Sequence, residues 1–153
     1  MTLSAARPVI AVLLAAMAVA GATAQRASIK LIDVAAEAGI DLVNVSGTAA
    51  KDYIVDANGN GAAFFDYDND DDLDALIVNG STRDNFAKGG DPMVVLYQND
   101  GSGHFRDVTA ASGFDRRGWG SGACVGDIDN DGAKDVYITA FGADAFWRNT
   151  GKG

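Results

Sequence analysis

From about residue 60 the apolar positions of the chain fall into short runs. These are "AAFF" (62–65), "ALIVN" (75–79), "MVVLYQN" (93–99), "HFRDVT" (104–109), "ACVG" (123–126), "VYITA" (136–140) and "AFWRN" (145–149). Each is rich in β-branched and aromatic residues and is bounded by Gly, Asn or Asp, the pattern of short strands separated by turns. Helical periodicity is nearly absent. Only "VAAEAG" (34–39) and "VTAASG" (108–113) offer a single helical turn each before a glycine stop.

The runs recur in order. "GNGAAFFDYDND" (59–70) returns as "GSGACVGDIDND" (120–131), "LYQNDGSG" (96–103) as "FWRNTGKG" (146–153), and "DVAAEAGI" (33–40) as "DVTAASGF" (107–114). A repeat of this size signals a stacked or radial architecture. Four short antiparallel strands per unit, repeated, predict an all-β fold of β-propeller blades. The repetition fits a β-sandwich less well. The first blade spans about 29–103 and the second about 104–153, with residues 29–34 aligned to the outer strand "HFRDV". "STRDNFAKGGDP" (81–92) makes the first repeat longer than the second and is a candidate ligand loop.

The N-terminus reads differently. Arg7 precedes the uncharged run "VIAVLLAAMAVA" (9–20), which is short for a membrane span, and Ala22 and Ala24 supply small residues for processing. Residues 1–24 are therefore expected to be a signal peptide. The expected destination is secreted, periplasmic or extracellular, with no stable membrane span after cleavage. Cys124 is the only cysteine, so an internal disulfide is excluded, and its apolar neighbours predict a small buried residue.

Charge changes the picture most. The chain carries a formal net charge of −9, and six aspartates in "DYDNDDDLD" (Asp66–Asp74) with four in "DIDNDGAKD" (Asp127–Asp135) make up nearly half of its 21 acids. Beyond the leader, the remaining acids and bases balance. The excess is thus confined to two loops, and no basic patch suggests nucleic acid as a partner. Like charges so closely spaced call for a cation. Side chains at loop positions one, three and five can converge on one ion, position seven can add a backbone carbonyl, and position nine can close the far side. The candidate ligands are Asp66, Asp68, Asp70, the carbonyl of Asp72 and Asp74 in the first loop. In the second they are Asp127, Asp129, Asp131, the carbonyl of Ala133 and Asp135.

Calcium, which takes six to eight oxygens in an adaptable shell, suits this set better than magnesium, and the lone His and Cys exclude an ordinary zinc or copper site. An EF-hand is excluded because its position-twelve glutamate is replaced by Ile77 and Ile138 within expected strands. Gly132 at the sharp turn accommodates positive φ, whereas Asp71 holds the same place in the first loop at some cost. His104 and Trp119 are expected to be a surface residue and a packing residue. No nucleophile–base pair, phosphate loop or separate catalytic carboxylate pair is present, so the chain is not expected to be an enzyme.

The arrangement G-x-G-A-x-x-x-D-x-D-N-D-G-x-x-D followed by an apolar run resembles the FG-GAP/VCBS repeat of integrin-α-like propellers. "GWGSGACVGDIDNDGAKDVYIT" with "LYQNDGSGHFRDVTAASGF" is similar to secreted proteins of the cartilage acidic protein (ASPIC/UnbV) type. The resemblance covers about residues 29–153. It implies two four-stranded blades of an incomplete, typically seven-bladed propeller, Ca²⁺ in both aspartate loops, and a part in adhesion or in binding an unknown protein or glycan ligand. The alternative is the accessory propeller portion of a larger secreted enzyme, such as a carbohydrate-active one. Asp71 departs from the glycine of the family pattern.

Overall fold

The computed structural model describes residues 28–151. Contacts divide the chain into two units, Met1–Asp33 and Val34–Gly153. Of the first unit only residues 28–33 are described, and the expected signal peptide (1–24) lies outside them. Residues 28–33 hold no regular element, and Ile29 and Leu31 are exposed. Residues 29–34, aligned in sequence with the outer strand "HFRDV", do not form a strand: a strand is defined by its pairing, and this stretch enters none of the sheets. Among the described residues no helix is long and apolar enough to cross a membrane.

The second unit is mostly antiparallel strand. It contains β1 (Ala62–Phe65), β2 (Asp74–Val78), β3 (Asp91–Pro92), β4 (Val94–Asn99), β5 (Phe105–Asp107), β6 (Arg117–Gly118), β7 (Gly120–Gly126), β8 (Asp135–Ala140) and β9 (Ala145–Trp147). The first sheet has the order β1-β2-β4-β5, the second β7-β8-β9, and β3 pairs with β6 between them. The second sheet thus has three strands among the described residues where the repeat predicted four. The segment 99–103 that leads into β5 aligns in sequence with 149–153. The short helices are α1 (Ala35–Ala38), closed by Gly39 in the left-handed region at φ 86°, and α2 (Arg83–Phe86), whose Thr82 hydroxyl accepts from the Asn85 N–H. "VTAASG" forms a hydrogen-bonded turn rather than a helix, with the Phe114 N–H on the Thr109 carbonyl.

Side-chain alternation decides what each strand buries. In β2 and β4, Leu76, Val78, Val94 and Leu96 face the second sheet, where they meet Val136, Ile138 and Ala145. Their neighbours Ala75, Val95 and Tyr97 face the other way, against Ile40, Leu42, Ile77 and Phe105. Both faces are covered, so these runs are continuously apolar. β8 is covered on one face only: Val136 and Ile138 are buried, Tyr137 and Thr139 exposed. The same alternation corrects the reading of Cys124. Ala123 and Val125 pack on the core, so Cys124 between them points outward and is exposed.

Two glycines let the sheets approach. The Gly120 N–H donates to the Asn79 carbonyl, and the Gly61 N–H to the Ser121 carbonyl. A Cβ on Gly120 would lie 2.5 Å from Val78 Cγ1 and 2.9 Å from two carbonyl oxygens. The "GNG" and "GSG" of the repeat are thus sites of close backbone passage. Trp119, beside them, is 1% exposed and packs edge-on against Phe86 and Phe141.

Candidate metal centres

Each aspartate loop joins the first two strands of its sheet, β1 to β2 and β7 to β8. The loops are closed by their own carboxylates, in the same way twice. Asp66 accepts from the N–H groups of Asp70 (3.1 Å) and Asp71 (3.0 Å), and Asp127 from those of Asp131 (3.0 Å) and Gly132 (2.9 Å). Position nine is the first residue of β2 or β8 and is buried: Asp74 is fully covered and Asp135 nearly so. Asp74 accepts from the N–H groups of Tyr67 (2.9 Å) and Asn99 (2.8 Å), and Asp135 from those of Ile128 (2.9 Å) and Asn149 (2.8 Å). The last donor in each pair is Asn99 at the end of β4 or Asn149 two residues past β9, so the exit of the neighbouring strand fixes the far wall of each loop.

Positions one, three and nine converge. Asp66, Asp68 and Asp74 present carboxylate oxygens within 4.8 Å of one another, as do Asp127, Asp129 and Asp135. Asp70 and Asp131 are not in these groups. One oxygen of each accepts from the backbone N–H of position seven, Asp72 (3.0 Å) or Ala133 (2.9 Å), which shapes the loop from within. Ala133 is buried, and the Asp72 carboxylate lies against Gly101 in the turn after β4. The left-handed turn residues are Asp71 (φ 71°) and Gly132 (φ 93°), as expected, but Asn69 (φ 63°) and Asn130 (φ 59°) also take that conformation. The "DND" triplets carried that signal, since asparagine tolerates positive φ better than most residues.

Position three is held from outside the loop. Gln98 Nε2 donates to Asp68 Oδ2 at 2.6 Å, and the Arg148 guanidinium forms an ion pair with Asp129 Oδ2. The other Asp68 oxygen, Oδ1, is buried and has no hydrogen-bond partner. Burial, and then the charge of Asp70, raise the Asp68 carboxyl above the ordinary carboxylate range, against the Gln98 hydrogen bond. Burial also raises Asp74, against its two backbone donors.

Three carboxylates at this separation repel by about 3 kcal/mol per pair at an effective dielectric near 20. The donor set is entirely carboxylate oxygen, one such oxygen is buried and unsatisfied, and no His or Cys joins either group. That chemistry fits a hard divalent cation, and both acidic clusters can hold one. The position-three anchors Gln98 and Arg148 were not foreseen, because Gln98 lies in β4 and Arg148 just past β9, and only the pairing of those strands with β2 and β8 brings them to the loops.

Residues 66–138, from the first aspartate of the first loop into β8, match the family described as FG-GAP-like repeat. No curated protein and no solved structure matches the chain.

Proposed function

We propose that the chain is the calcium-holding part of an exported, propeller-like binding domain of the FG-GAP kind, close to the cartilage acidic protein type, with no catalysis of its own. One observation carries the reading. The two loops, which differ at four of their nine positions, are closed by the same hydrogen bonds at the same positions and gather the same three carboxylates. Acidic turns serving only solubility would have no reason to converge inward twice.

Asp66, Asp68 and Asp74 would hold one Ca²⁺ and Asp127, Asp129 and Asp135 the other, with the carbonyls of Asp72 and Ala133 and the second oxygens of Asp70 and Asp131 available to complete each shell. Bound calcium would supply charge neutralisation. The residues do the rest: position one fastens the turn, position nine anchors it to the buried strand end, and Asn99 or Asn149 ties it to the neighbouring strand.

A binding role is supported at the other end of the strands. β2 and β8 run away from the aspartate loops, and their far ends carry Arg83, Phe86, Ser121, Ala140 and Phe141 around a cup of about 650 Å³. The longer first repeat builds one wall of it. Arg83 lies 4.1 Å over the Tyr53 ring, and Phe86 packs on Phe141 at 5.3 Å. This is a preformed aromatic surface suited to a protein or glycan ligand.

Calcium titration of the full chain by calorimetry, with thermal melts in calcium and in EDTA, tests the proposal. Two binding events and a calcium-dependent rise in Tm are expected. A Tm that EDTA leaves unmoved would overturn it.

A further inference from the structure

The two loops are each other's control, and they differ where the neighbouring strand reaches position three. Gln98 and Arg148 both stand immediately before the asparagine that closes position nine, and both contact Oδ2 of the position-three aspartate. Gln98 is neutral. Its other end is held by Arg106, whose Nη2 donates to Gln98 Oε1 at 2.7 Å, so this cation is one side chain removed from the carboxylates. In the second loop the cation is in direct contact. The remaining Asp68 oxygen is buried and unsatisfied, while Asp129 already shares its charge.

We propose that Arg148 is a tethered counter-cation of the second triad, and that it lowers that loop's affinity for divalent cations relative to the first. The inference rests on the calcium reading above. A guanidinium and a calcium ion draw on the same carboxylate, so occupancy of the second loop must release Arg148 or dilute its pairing. Arg148 is largely exposed, so release into water is easy and the penalty is that of a surface ion pair. The second loop, in spite of its better turn residue, is therefore the weaker site and the one less dependent on calcium for its order. The first, with six acids and no ion pair among the described residues, is the site that needs the ion.

The sign of the effect separates this role from a merely structural one. Arg148→Gln should make the two loops alike. In EDTA it should lower Tm, because the triad loses the counter-charge in direct contact with it. In saturating calcium the loss should disappear or reverse. Calcium affinity at the second site should rise roughly two- to five-fold, the worth of an exposed ion pair. Gln98→Arg should weaken the first site by a similar factor.

The experiment is calorimetric titration with CaCl₂ of the full chain carrying Asp68→Asn, which isolates the second site, with and without Arg148→Gln. The mirror pair is Asp129→Asn with and without Gln98→Arg. Tighter binding from Arg148→Gln and weaker binding from Gln98→Arg support the proposal. If the parent chain binds calcium at both sites but neither substitution moves its affinity in the stated direction, the proposal fails and the calcium reading stands. If the parent binds no calcium, both fall.

Discussion

The side-chain amide of Asn149 donates a 2.7 Å hydrogen bond to the carbonyl of Tyr67, and this bond joins the two aspartate loops. The Tyr67 N–H is already on Asp74, and the Asn149 N–H is on Asp135. A continuous path Asp74–Tyr67–Asn149–Asp135 thus runs between the buried carboxylates of the two candidate centres. Asn149→Ala should cost about 1–3 kcal/mol, the usual consequence of leaving a covered carbonyl unpaired. It should also uncouple the loops. Calorimetry on the parent should show calcium at one site favouring the other, and on the variant two independent sites. An additive response in both proteins would show that the bond transmits nothing.

Positions three and five should respond differently to alanine. Asp129→Ala removes a member of the triad and strands Arg148, so calcium-dependent stabilisation at the second site should largely vanish while the metal-free protein changes little. Asp131→Ala instead removes the acceptor for the Ala133 N–H. It should destabilise the loop by about 1 kcal/mol even in EDTA. Paired melts of the two variants in calcium and in EDTA distinguish them.

At the turn, a side chain on Gly132 would meet no atom within 4 Å, so Gly132→Val is a test of backbone conformation alone. At φ 93° it should cost about 1–2 kcal/mol. Asp71→Gly, at φ 71°, should have the opposite sign, a gain of up to about 1 kcal/mol offset by the greater freedom of glycine in the unfolded chain. Urea melts measure both.

Gly120→Ala should be among the more damaging single-methyl additions. The new Cβ would press on Val78 and on the carbonyls of Asn79 and Met93, and backbone cannot yield as a side chain can. A loss of about 1–3 kcal/mol is expected. Gly126→Ala, with open space around it, should be nearly silent and serves as the control.

The pair Tyr137–Asp144, formed on the exposed face of β8, sets a pH dependence of its own. The Tyr137 hydroxyl donates to Asp144 at 2.6 Å, and this bond, then the Ala140 N–H, lowers the Asp144 carboxyl below its ordinary value; the same bond raises Tyr137 above 10.0. Asp144 binds fewer protons when folded, so its contribution is present above the ordinary carboxylate pKa and lost as pH falls through the lowered one. Tyr137 keeps its proton longer when folded, so its contribution is present below pH 10 and lost as pH rises through the raised value. Tyr137→Phe should remove the alkaline dependence and weaken the acid one, to which the Ala140 N–H still contributes, a small effect for so exposed a pair. Melts across acid and alkaline pH against the parent check this.

Much of this was legible in the sequence because the repeat doubles every signal. The alternation of apolar runs located β1, β2, β4, β5, β7, β8 and β9, and the spacing of "DxDND" located the loops. What escaped depends on residues distant in the chain. β3 and β6 are two residues each and exist only because they pair with one another. α2 rests on the cap of Thr82 within a stretch that reads as polar loop. Cys124 was misread because local hydrophobicity does not say which side of a strand is covered. Within the loops, which carboxylates face inward was not readable either. Position five looks equivalent to position three until the N–H of position seven is seen to claim one of its oxygens.

The opposite polarity of the loops and the cup along β2 and β8 has a consequence for how such a sequence can vary. At one end the chain is held to a fixed count, since a single inserted residue between Asp66 and Asp74 would displace both strand register and carboxylate geometry. At the other end the connection from β2 to β4 lengthens the first repeat by a whole excursion, 81–92, with the β2–β4 pairing intact. One rim of the sheets is a fastening of fixed length and the other tolerates a long excursion, so the chain can change at the second without rewriting the part that holds the sheets in place.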